Sequence, residues 1–328
     1  MPQKTKTWQQ ELAEGFNNID DICDYLNISH SNKNLLTSPS EFPLRVPGEF
    51  VERMEKGNIN DPLLKQILPI KDENIITPGF INDPVGDVDS MTETGVIHKY
   101  HGRVLLITTG SCAIHCRYCF RRNFPYTHLQ LSTKKYLNAI KYIENKPDIS
   151  EVILSGGDPL LLNDQKILSL IQQLEAIPHI KRIRIHSRIP VVLPSRITSE
   201  LCNRLSTIKK DLILVIHSNH PNELNNKVKL ACEKLKKANI TLLNQTVLLK
   251  GINDNAQVLC TLHEKLFTFS VMPYYLHLLD KATGTAHFEV SQDIALELMN
   301  QIQKSSPGYL VPKLVREQAG AYNKTVIT

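Results

Sequence analysis

Three cysteines stand close together in the segment TTGSCAIHCRYCFRRNF, which covers residues 108–124. Cys112, Cys116 and Cys119 have the spacing C-x3-C-x2-C, and no fourth cysteine accompanies them. An iron–sulfur cube contains four irons that each require a soft ligand, so three thiolates leave one iron open. An open metal position permits chemistry, whereas a closed one only braces a fold. The spacing therefore favours a catalytic iron–sulfur cluster.

The alternative interpretation of these cysteines is a small zinc knuckle. His115 would complete the four ligands, and Arg117, Arg121 and Arg122 would contact nucleic acid. Structural zinc sites usually draw their ligands as two pairs at characteristic spacings, which this loop lacks.

A second signal is the segment ILSGGDPLLL at 153–162. Gly156 and Gly157 come directly after an apolar run, and two glycines there let the backbone approach a ligand closely. The alternative is a simple strand-to-helix turn.

Composition excludes several classes of protein. The 328 residues include 41% hydrophobic residues and carry a net charge of +5, from 38 basic and 33 acidic side chains. That mild excess permits an anionic substrate or cofactor without indicating a nucleic-acid binder. The N-terminus lacks the apolar core of a secretory signal, and no window is long and apolar enough to span a bilayer. Seven cysteines, mostly scattered, do not indicate a disulfide framework, so we expect a cytoplasmic protein.

The chemistry-bearing residues follow regularly alternating elements. Six apolar runs, each followed by a helical pattern, predict a parallel sheet with right-handed crossovers. These runs are 103–109, 151–155, 180–187, 211–218, 240–249 and 270–279. Polar residues come at the end of nearly every run, and one pocket fed by six strand ends is typical of a barrel. We predict an α/β fold: a partial (β/α)6 TIM-like barrel over 96–305, an N-terminal helical cap over 1–95, and a short C-terminal segment over 306–328.

The cysteine spacing, with Tyr118 just before the last cysteine, resembles the radical S-adenosylmethionine (SAM) superfamily. That resemblance implies a [4Fe–4S] cluster held by the three cysteines, with SAM chelating the fourth iron. Electron transfer from the cluster then cleaves SAM to a 5′-deoxyadenosyl radical, which abstracts a hydrogen atom. In the superfamily a Gly-Gly-acid stretch contacts the amino group of SAM, and Gly156, Gly157 and Asp158 match it.

From about residue 95 onward the chain resembles the lysine 2,3-aminomutase family. The segments that carry this resemblance are KYHGRVLLITTGSCAIHCRYCFRR, SGGDPLLL, SRIPVVLPSRIT, HSNHPNEL, LLNQTVLLKGIND, PYYLHLLDKATGTAHF and KTVIT. Within the family, the chain is most similar to the short enzymes that make (R)-β-lysine for elongation factor P.

The resemblance implies a second cofactor, pyridoxal 5′-phosphate (PLP). Lys324, in EQAGAYNKT, matches the family lysine that binds the PLP aldehyde, although only Gly320 remains of the glycines that usually precede it. Without the resemblance, a lysine this near the end of the chain would be assigned to a frayed tail. Arg103 matches a family contact to the PLP phosphate, and Tyr100 is a second candidate for that contact.

The same resemblance assigns the substrate contacts. Arg121 matches the arginine that pairs with the substrate carboxylate, and Asp280 matches an acid that holds the distal ammonium. Glu317 matches the second acid, where long family members carry aspartate. The alternative for Arg103 is a surface position at a strand start, and for the two acids it is an ordinary surface salt bridge.

Two further residues are assigned to the pocket. The resemblance makes Gln245 a SAM contact, whereas its neighbour Asn244 is equally consistent with a structural hydrogen bond. His217 is expected at the same mouth, close to PLP, with a satisfied core histidine as the alternative.

The implied activity is conversion of L-α-lysine to (R)-β-lysine, for modification of elongation factor P by its lysyl ligase. The radical takes a hydrogen from the β-carbon, the amino group migrates, and hydrogen returns so that SAM is regenerated. The partners are free L-lysine and an external one-electron reductant, with no nucleic acid and no membrane. The chain stops soon after Lys324, before any cluster of extra cysteines, so we expect no structural zinc. An aminomutase for another amino acid such as glutamate, or a zinc-supported RNA-binding protein, are the alternatives.

Overall fold

One ten-stranded sheet organises the protein, in which the strands lie in the order of the sequence. The computed structural model describes residues 6–29, 35–37, 42–93, 95–125 and 133–328. The strands are β1 (Met91–Glu93), β2 (Val96–Tyr100), β3 (Arg103–Thr109), β4 (Glu151–Gly156), β5 (Arg182–Ser187), β6 (Asp211–His217), β7 (Thr241–Val247), β8 (Met272–His277), β9 (Lys313–Arg316) and β10 (Thr325–Val326). Strands β3 to β9 are parallel, whereas β1, β2 and β10 pair antiparallel at the two edges.

The sheet curves around one cavity, to which every strand from β3 to β8 contributes side chains. Alternate residues face that cavity, as the period of two along a strand requires. In β7 the lining residues are Leu243, Gln245 and Val247, while Leu242 and Asn244 are buried on the other face. The predicted partial barrel with six strand–helix units is confirmed. The sequence analysis missed β9, which extends the parallel part of the sheet by one short strand.

Helices follow the parallel strands. They are α4 (Thr133–Glu144), α5 (Asp164–Glu175), α6 (Ile189–Val192), α7 (Ser199–Leu205), α8 (Asn226–Lys237), α9 (Ala256–Thr268) and α10 (Gln292–Ser305). Side-chain caps start α5, α8, α9 and α10 at Asn163, Asn225, Asn255 and Ser291. Helix α7 stops at Leu205 because the hydroxyls of Ser206 and Thr207 bond the carbonyls of the last turn.

The described residues of the N-terminal part include the short helices α1 (Trp8–Ala13), α2 (Ile19–Tyr25) and α3 (Gly48–Val51). Their buried side chains, such as Ile22 and Phe50, belong to the same apolar cluster as Val104 and Leu154 of the sheet. The N-terminal part therefore packs directly on the barrel. Within the described residues, no helix is both long enough and apolar enough to cross a membrane.

The end of the chain is part of the sheet. Strand β10 pairs with β9, and the Ile327 N–H donates to the Leu314 carbonyl at 3.0 Å. Ile327 also packs on a second apolar cluster formed around β8, α9 and α10. Lys324 immediately precedes β10, so its backbone is fixed by this pairing, and the alternative of a frayed tail is wrong.

Candidate active site

A cavity of about 680 Å³ is enclosed by the barrel and its C-terminal strand ends. The structure brings all the site residues named from sequence to the wall of this one cavity. They are Tyr100, Arg103, Cys112, Cys116, Cys119, Arg121, Gly156, Gly157, Asp158, His217, Gln245, Asp280, Glu317 and Lys324. We call the part around the cysteines the cluster end, and the part around Lys324, Glu317 and Asp280 the amine end.

At the cluster end, the cysteine loop is joined to the turn after β4. Gly157 N–H donates to the Thr109 carbonyl at 2.7 Å, and Asp158 N–H donates to the Ser111 carbonyl at 2.8 Å. A Cβ on Gly157 would lie 2.2 Å from the Ser111 oxygen. Gly156 has φ of +119°, and a Cβ there would lie 2.5 Å from the Thr109 oxygen. The two glycines are therefore required for the close approach of these two loops.

Asp158 fixes a third loop against the same turn. One carboxylate oxygen accepts from Ser187 Oγ at 2.7 Å and Leu160 N–H at 3.1 Å. The other accepts from the N–H groups of Arg188 and Ile189, at 2.8 and 3.2 Å. Burial raises the pKa of Asp158 to about 6. The carboxylate is thus engaged with the protein, and its assignment to the SAM amino group stays a prediction.

The three cysteines suit a cluster better than a single metal ion. They are free thiols that share one cavity wall. Burial raises the pKa of the Cys112 and Cys119 thiols, that of Cys119 to about 11. Among the residues that the structure describes, no three Cys, His, Asp or Glu side chains could hold one metal ion. A cube offers a different iron to each thiolate, so its ligands need not converge on one point. The donor set therefore fits a [4Fe–4S] cluster.

The basic residues of the loop face inward. Arg117 is fully buried, and Glu73 pairs with both Arg117 and Arg122. Arg117 Nη1 also donates to the Phe42 carbonyl at 2.7 Å, and His115 Nδ1 lies 2.8 Å from the Pro43 carbonyl. These contacts hold the N-terminal part over the cysteine loop. They leave no basic surface for nucleic acid at the loop, and His115 is engaged with the backbone.

At the amine end, charges alternate along a continuous chain of contacts. Arg121 Nε donates to Asp87 Oδ2 at 2.7 Å, and Lys99 Nζ lies 2.5 Å from Asp87 Oδ1. Lys99 Nζ also lies 3.3 Å from Glu317 Oε1, and Lys324 Nζ donates to Glu317 Oε2. Burial opposes ionisation of Glu317, but Lys324 and Lys99 hold its pKa at about 2. Glu317 is thus an internal partner of Lys324, and the alternative of a surface salt bridge is wrong for it.

Asp280 is the exception in this chain of pairs. Within the described residues its Oδ1 is buried and has no hydrogen-bond partner. Burial and the neighbouring Glu317 raise the pKa of Asp280 to about 7. A buried carboxylate without a partner is costly, so the site is suited to a cationic ligand.

The remaining predicted contacts lie between these two ends. The Arg103 guanidinium stacks 4.7 Å from the Tyr100 ring centre, at the start of β3. Burial and Glu317 raise the pKa of Tyr100, which keeps its hydroxyl protonated. Both residues line the cavity, so the alternative of a surface position for Arg103 is wrong.

His217 stacks on Tyr118, with ring centres 5.6 Å apart and an interplanar angle of 13°. The Tyr118 hydroxyl lies 2.9 Å from His217 Nε2, and burial together with Arg188 lowers the pKa of His217 well below its usual value. Gln245 lines the cavity, whereas Asn244 faces away and bonds Ser218. Asn244 therefore makes a structural hydrogen bond, which was one of the two interpretations of this residue.

Sequence reasoning missed several cavity residues. Asp87 and Lys99 come from the N-terminal part and the β2 strand, and Arg188 follows β5. His277 was missed as well, whereas His186 is one of the polar residues predicted at the strand ends. The two histidines face the cavity from β8 and β5, and in the part of the chain described here each has a buried Nε2 without a partner. Burial lowers the pKa of both histidines well below the usual range, so they stay neutral. The only sequence signal for these histidines is a polar residue in an apolar strand.

Comparison with known proteins defines the class first. Residues 106–260 match the radical SAM superfamily, a span that starts in β3 and includes the cysteine loop. The chain is thereby an enzyme with a [4Fe–4S] cluster and SAM as cofactors.

The particular family follows from full-length relatives. The chain is 47% identical to the L-lysine 2,3-aminomutase of Escherichia coli K12, over 97% of this chain and 93% of that protein. It is 47% identical to the enzyme of that name from Haemophilus influenzae, covering 99% and 96%, and 32% identical to that from Clostridium subterminale, covering 98% and 77%. The protein belongs to the lysine 2,3-aminomutase family, whose members are isomerases.

Proposed function

We propose that this protein converts L-α-lysine into (R)-β-lysine, with PLP bound to Lys324. The observation that carries the proposal is the Asp280 carboxylate, whose buried Oδ1 has no hydrogen-bond partner among the described residues and which lies in the same cavity as Lys324 and the three cysteines. A substrate with a distal ammonium supplies the cation that Asp280 lacks. Together, SAM and the cluster supply the hydrogen-abstracting radical, while PLP supplies an aldehyde that carries the migrating nitrogen.

The chain's own residues orient the substrate. Arg121 receives the α-carboxylate, because its planar guanidinium lies on the cavity wall beside Ser155 Oγ, at 3.1 Å. Asp280 and Glu317 receive the distal ammonium. When Lys324 is committed to PLP, Glu317 loses one of the two lysines that it contacts in this structure, and its Oε2 can then receive the substrate ammonium.

The remaining contacts concern the cofactors. We assign Arg103 and Tyr100 to the PLP phosphate, supported by the arginine and the protonated hydroxyl that face the same region. Gly156 and Gly157 adjoin the cysteine loop and Gln245 lines the same cavity, which supports contacts to SAM. Asp158 positions that loop and stays a candidate for the SAM amino group. Neutral His217 closes the wall near PLP.

The charges of the amine end oppose an acidic substrate. Asp280 and Glu317 would face the distal group of the substrate, and a glutamate side chain would bring a third carboxylate to them, whereas Asp87 is already paired with Arg121 and Lys99. The discriminating experiment supplies purified enzyme with cluster, SAM, PLP and an anaerobic one-electron reductant, and then separates the products by chromatography. We expect (R)-β-lysine from L-lysine and no β-amino acid from L-glutamate. Fully loaded enzyme that leaves L-lysine unchanged would overturn the proposal.

We further propose that the product serves modification of elongation factor P, as a free amino acid passed to a separate lysyl ligase in the cytoplasm. The resemblance to the short enzymes of the family supports this link. Elongation factor P from cells without this gene should lack the β-lysyl group by mass spectrometry, and added β-lysine should restore it. If added β-lysine does not restore it while the ligase is present, free transfer is wrong.

A further inference from the structure

Arg188 connects the cluster end to the interior of the protein. It follows β5, and its side chain is 6% exposed. Nη1 donates to the sulfur of Cys116 at 2.7 Å. Nη2 donates to Gln66 Oε1 at 2.6 Å and to Glu223 Oε2 at 3.1 Å. The guanidinium is therefore held rigidly with one edge against a predicted cluster ligand.

The ion pair between Arg188 and Glu223 does not require the contact between Arg188 and the Cys116 sulfur. Glu223 is served by Nη2, and its other oxygen accepts from Gln66 Nε2 and from the Asn219 and His220 N–H groups. The loop itself is fixed through the Arg188 backbone, whose N–H donates to Asp158. Neither role requires Nη1, which points at Cys116.

A positive charge beside a ligand sulfur changes the reduction potential of the cluster. Reduction of an iron–sulfur cluster adds one electron, and hydrogen bonds and charge at the ligand sulfurs set its potential. In a buried site the attraction between a guanidinium and the added electron is weakly screened. We propose that Arg188 is a positioning residue that raises the reduction potential of the cluster and so allows an external one-electron donor to reduce it. This inference rests on the proposed assignment of Cys116 as a cluster ligand.

The test is a redox titration of the reconstituted, full-length protein, followed by electron paramagnetic resonance of the reduced cluster. Arg188→Met removes the charge but keeps an apolar stem. At a fixed applied potential we expect the ratio of reduced to oxidised cluster to fall roughly tenfold or more, a shift of about 59 mV to lower potential. Arg188→Lys retains a charge and should recover part of this shift.

A matched control is available in the same region. Arg196 is also fully buried, but it pairs with Asp164, donates to the carbonyls of Leu160 and Leu162, and does not line the cavity. Arg196→Met should leave the potential unchanged. Equal shifts in Arg188→Met and Arg196→Met would show a general effect of packing and overturn the inference.

A second variant keeps the test decisive if Arg188→Met does not assemble a cluster. Glu223→Gln leaves Arg188 in place and removes its counter-ion, so the potential should rise. An unchanged or lower potential in Glu223→Gln, or an unchanged potential in iron-replete Arg188→Met, overturns the role of Arg188. If the unaltered protein itself assembles no cluster, the proposed function fails instead.

Discussion

The two ends of the cavity differ in how their polar groups are satisfied. At the cluster end, the Asp158 carboxylate accepts four hydrogen bonds from the protein. Both terminal nitrogens of Arg188 are bonded, to Gln66, Glu223 and Cys116, and among the described residues only its Nε lacks a partner. At the amine end, Asp280 Oδ1 and the Nε2 atoms of His186 and His277 are buried without partners in the described part of the chain. The first end is preorganised by contacts within the protein, whereas the second is completed by its ligands.

This difference has a chemical reason. A cluster loop must keep its geometry through every reaction cycle, so rigid support from the backbone is an advantage. The amine end must accept and release a charged amino acid, and unpaired polar groups make its binding favourable and specific. Variants at the two ends should therefore fail in different ways.

The largest effect is expected at the cluster end, from Cys116→Ala. With one of its three thiolates lost, the protein should bind little iron and show no detectable turnover. The fold should persist, because the loop is held by backbone hydrogen bonds. Iron and sulfide analysis with a melting curve checks both points. Cys260→Ala, in α9 and outside this cavity, is the control and should keep its iron; an iron-replete Cys116→Ala protein would contradict the assignment.

The next largest effect is expected at Lys324. Lys324→Ala should lose the absorbance of bound PLP, and turnover should fall by roughly a thousandfold or more, because the covalent attachment is gone. The cluster content should be unchanged, which separates the two ends. Lys313→Ala, on an exposed position of β9, should retain PLP absorbance. Normal PLP absorbance in Lys324→Ala would place the cofactor on another lysine.

A smaller effect is expected from Asp280→Asn. Removing one partner of a buried ion pair costs about 3 kcal/mol, so kcat/KM for L-lysine should fall about a hundredfold. The KM for SAM should stay the same, since Asp280 belongs to the amine end. Steady-state kinetics with each substrate varied in turn checks this, and an unchanged kcat/KM for L-lysine would remove Asp280 from the substrate site.

The pH dependence sharpens the same assignment. Because the pKa of Asp280 is raised to about 7, its carboxylate is lost as the pH falls through 7, and kcat/KM should decline below that pH. Glu317 stays ionised in this pH range, because Lys99 as well as Lys324 lowers its pKa, and His186 and His277, with pKa values well below the usual range, stay neutral. Asp280→Asn should lack this acidic limb, and an identical limb in the variant would assign the titration elsewhere.

The smallest effect is expected on the free energy of unfolding of the apoprotein, to which Asp280 contributes. The folded pKa of Asp280 lies above its unfolded value, so the folded state binds more protons and stability should decrease as the pH rises from about 4 to 7. Asp280→Asn apoprotein should therefore be more stable than the unaltered apoprotein at pH 8, by a few kcal/mol at most. Denaturant unfolding at pH 5 and pH 8 measures this. Equal stability of both proteins at pH 8 would contradict the raised pKa.

The sequence predicted the local features of the site and missed the pairs formed across the chain. Cysteine spacing, the Gly156–Gly157 turn and the alternation of strands are local patterns, and they gave the barrel and the position of the cluster loop. Asp87 pairs with Arg121 and Lys99 because the N-terminal part folds over the barrel, and Lys99 of β2 pairs with Glu317 because β9 lies at the other edge of the same cavity. No periodic pattern indicates such contacts. The short strands β9 and β10 were missed for a related reason, since each is stabilised mainly by its neighbour in the sheet.

The most direct test is whether the cluster end and the amine end of the cavity act on the same L-lysine molecule. L-Lysine carrying deuterium on its β-carbon is supplied to the reconstituted enzyme, and SAM and product are recovered for mass spectrometry. We predict deuterium at the 5′ position of SAM and at the α-carbon of β-lysine, because hydrogen leaves the substrate to the cluster end and returns to it. Unlabelled SAM, with cluster and PLP fully loaded and L-lysine bound, would contradict the account.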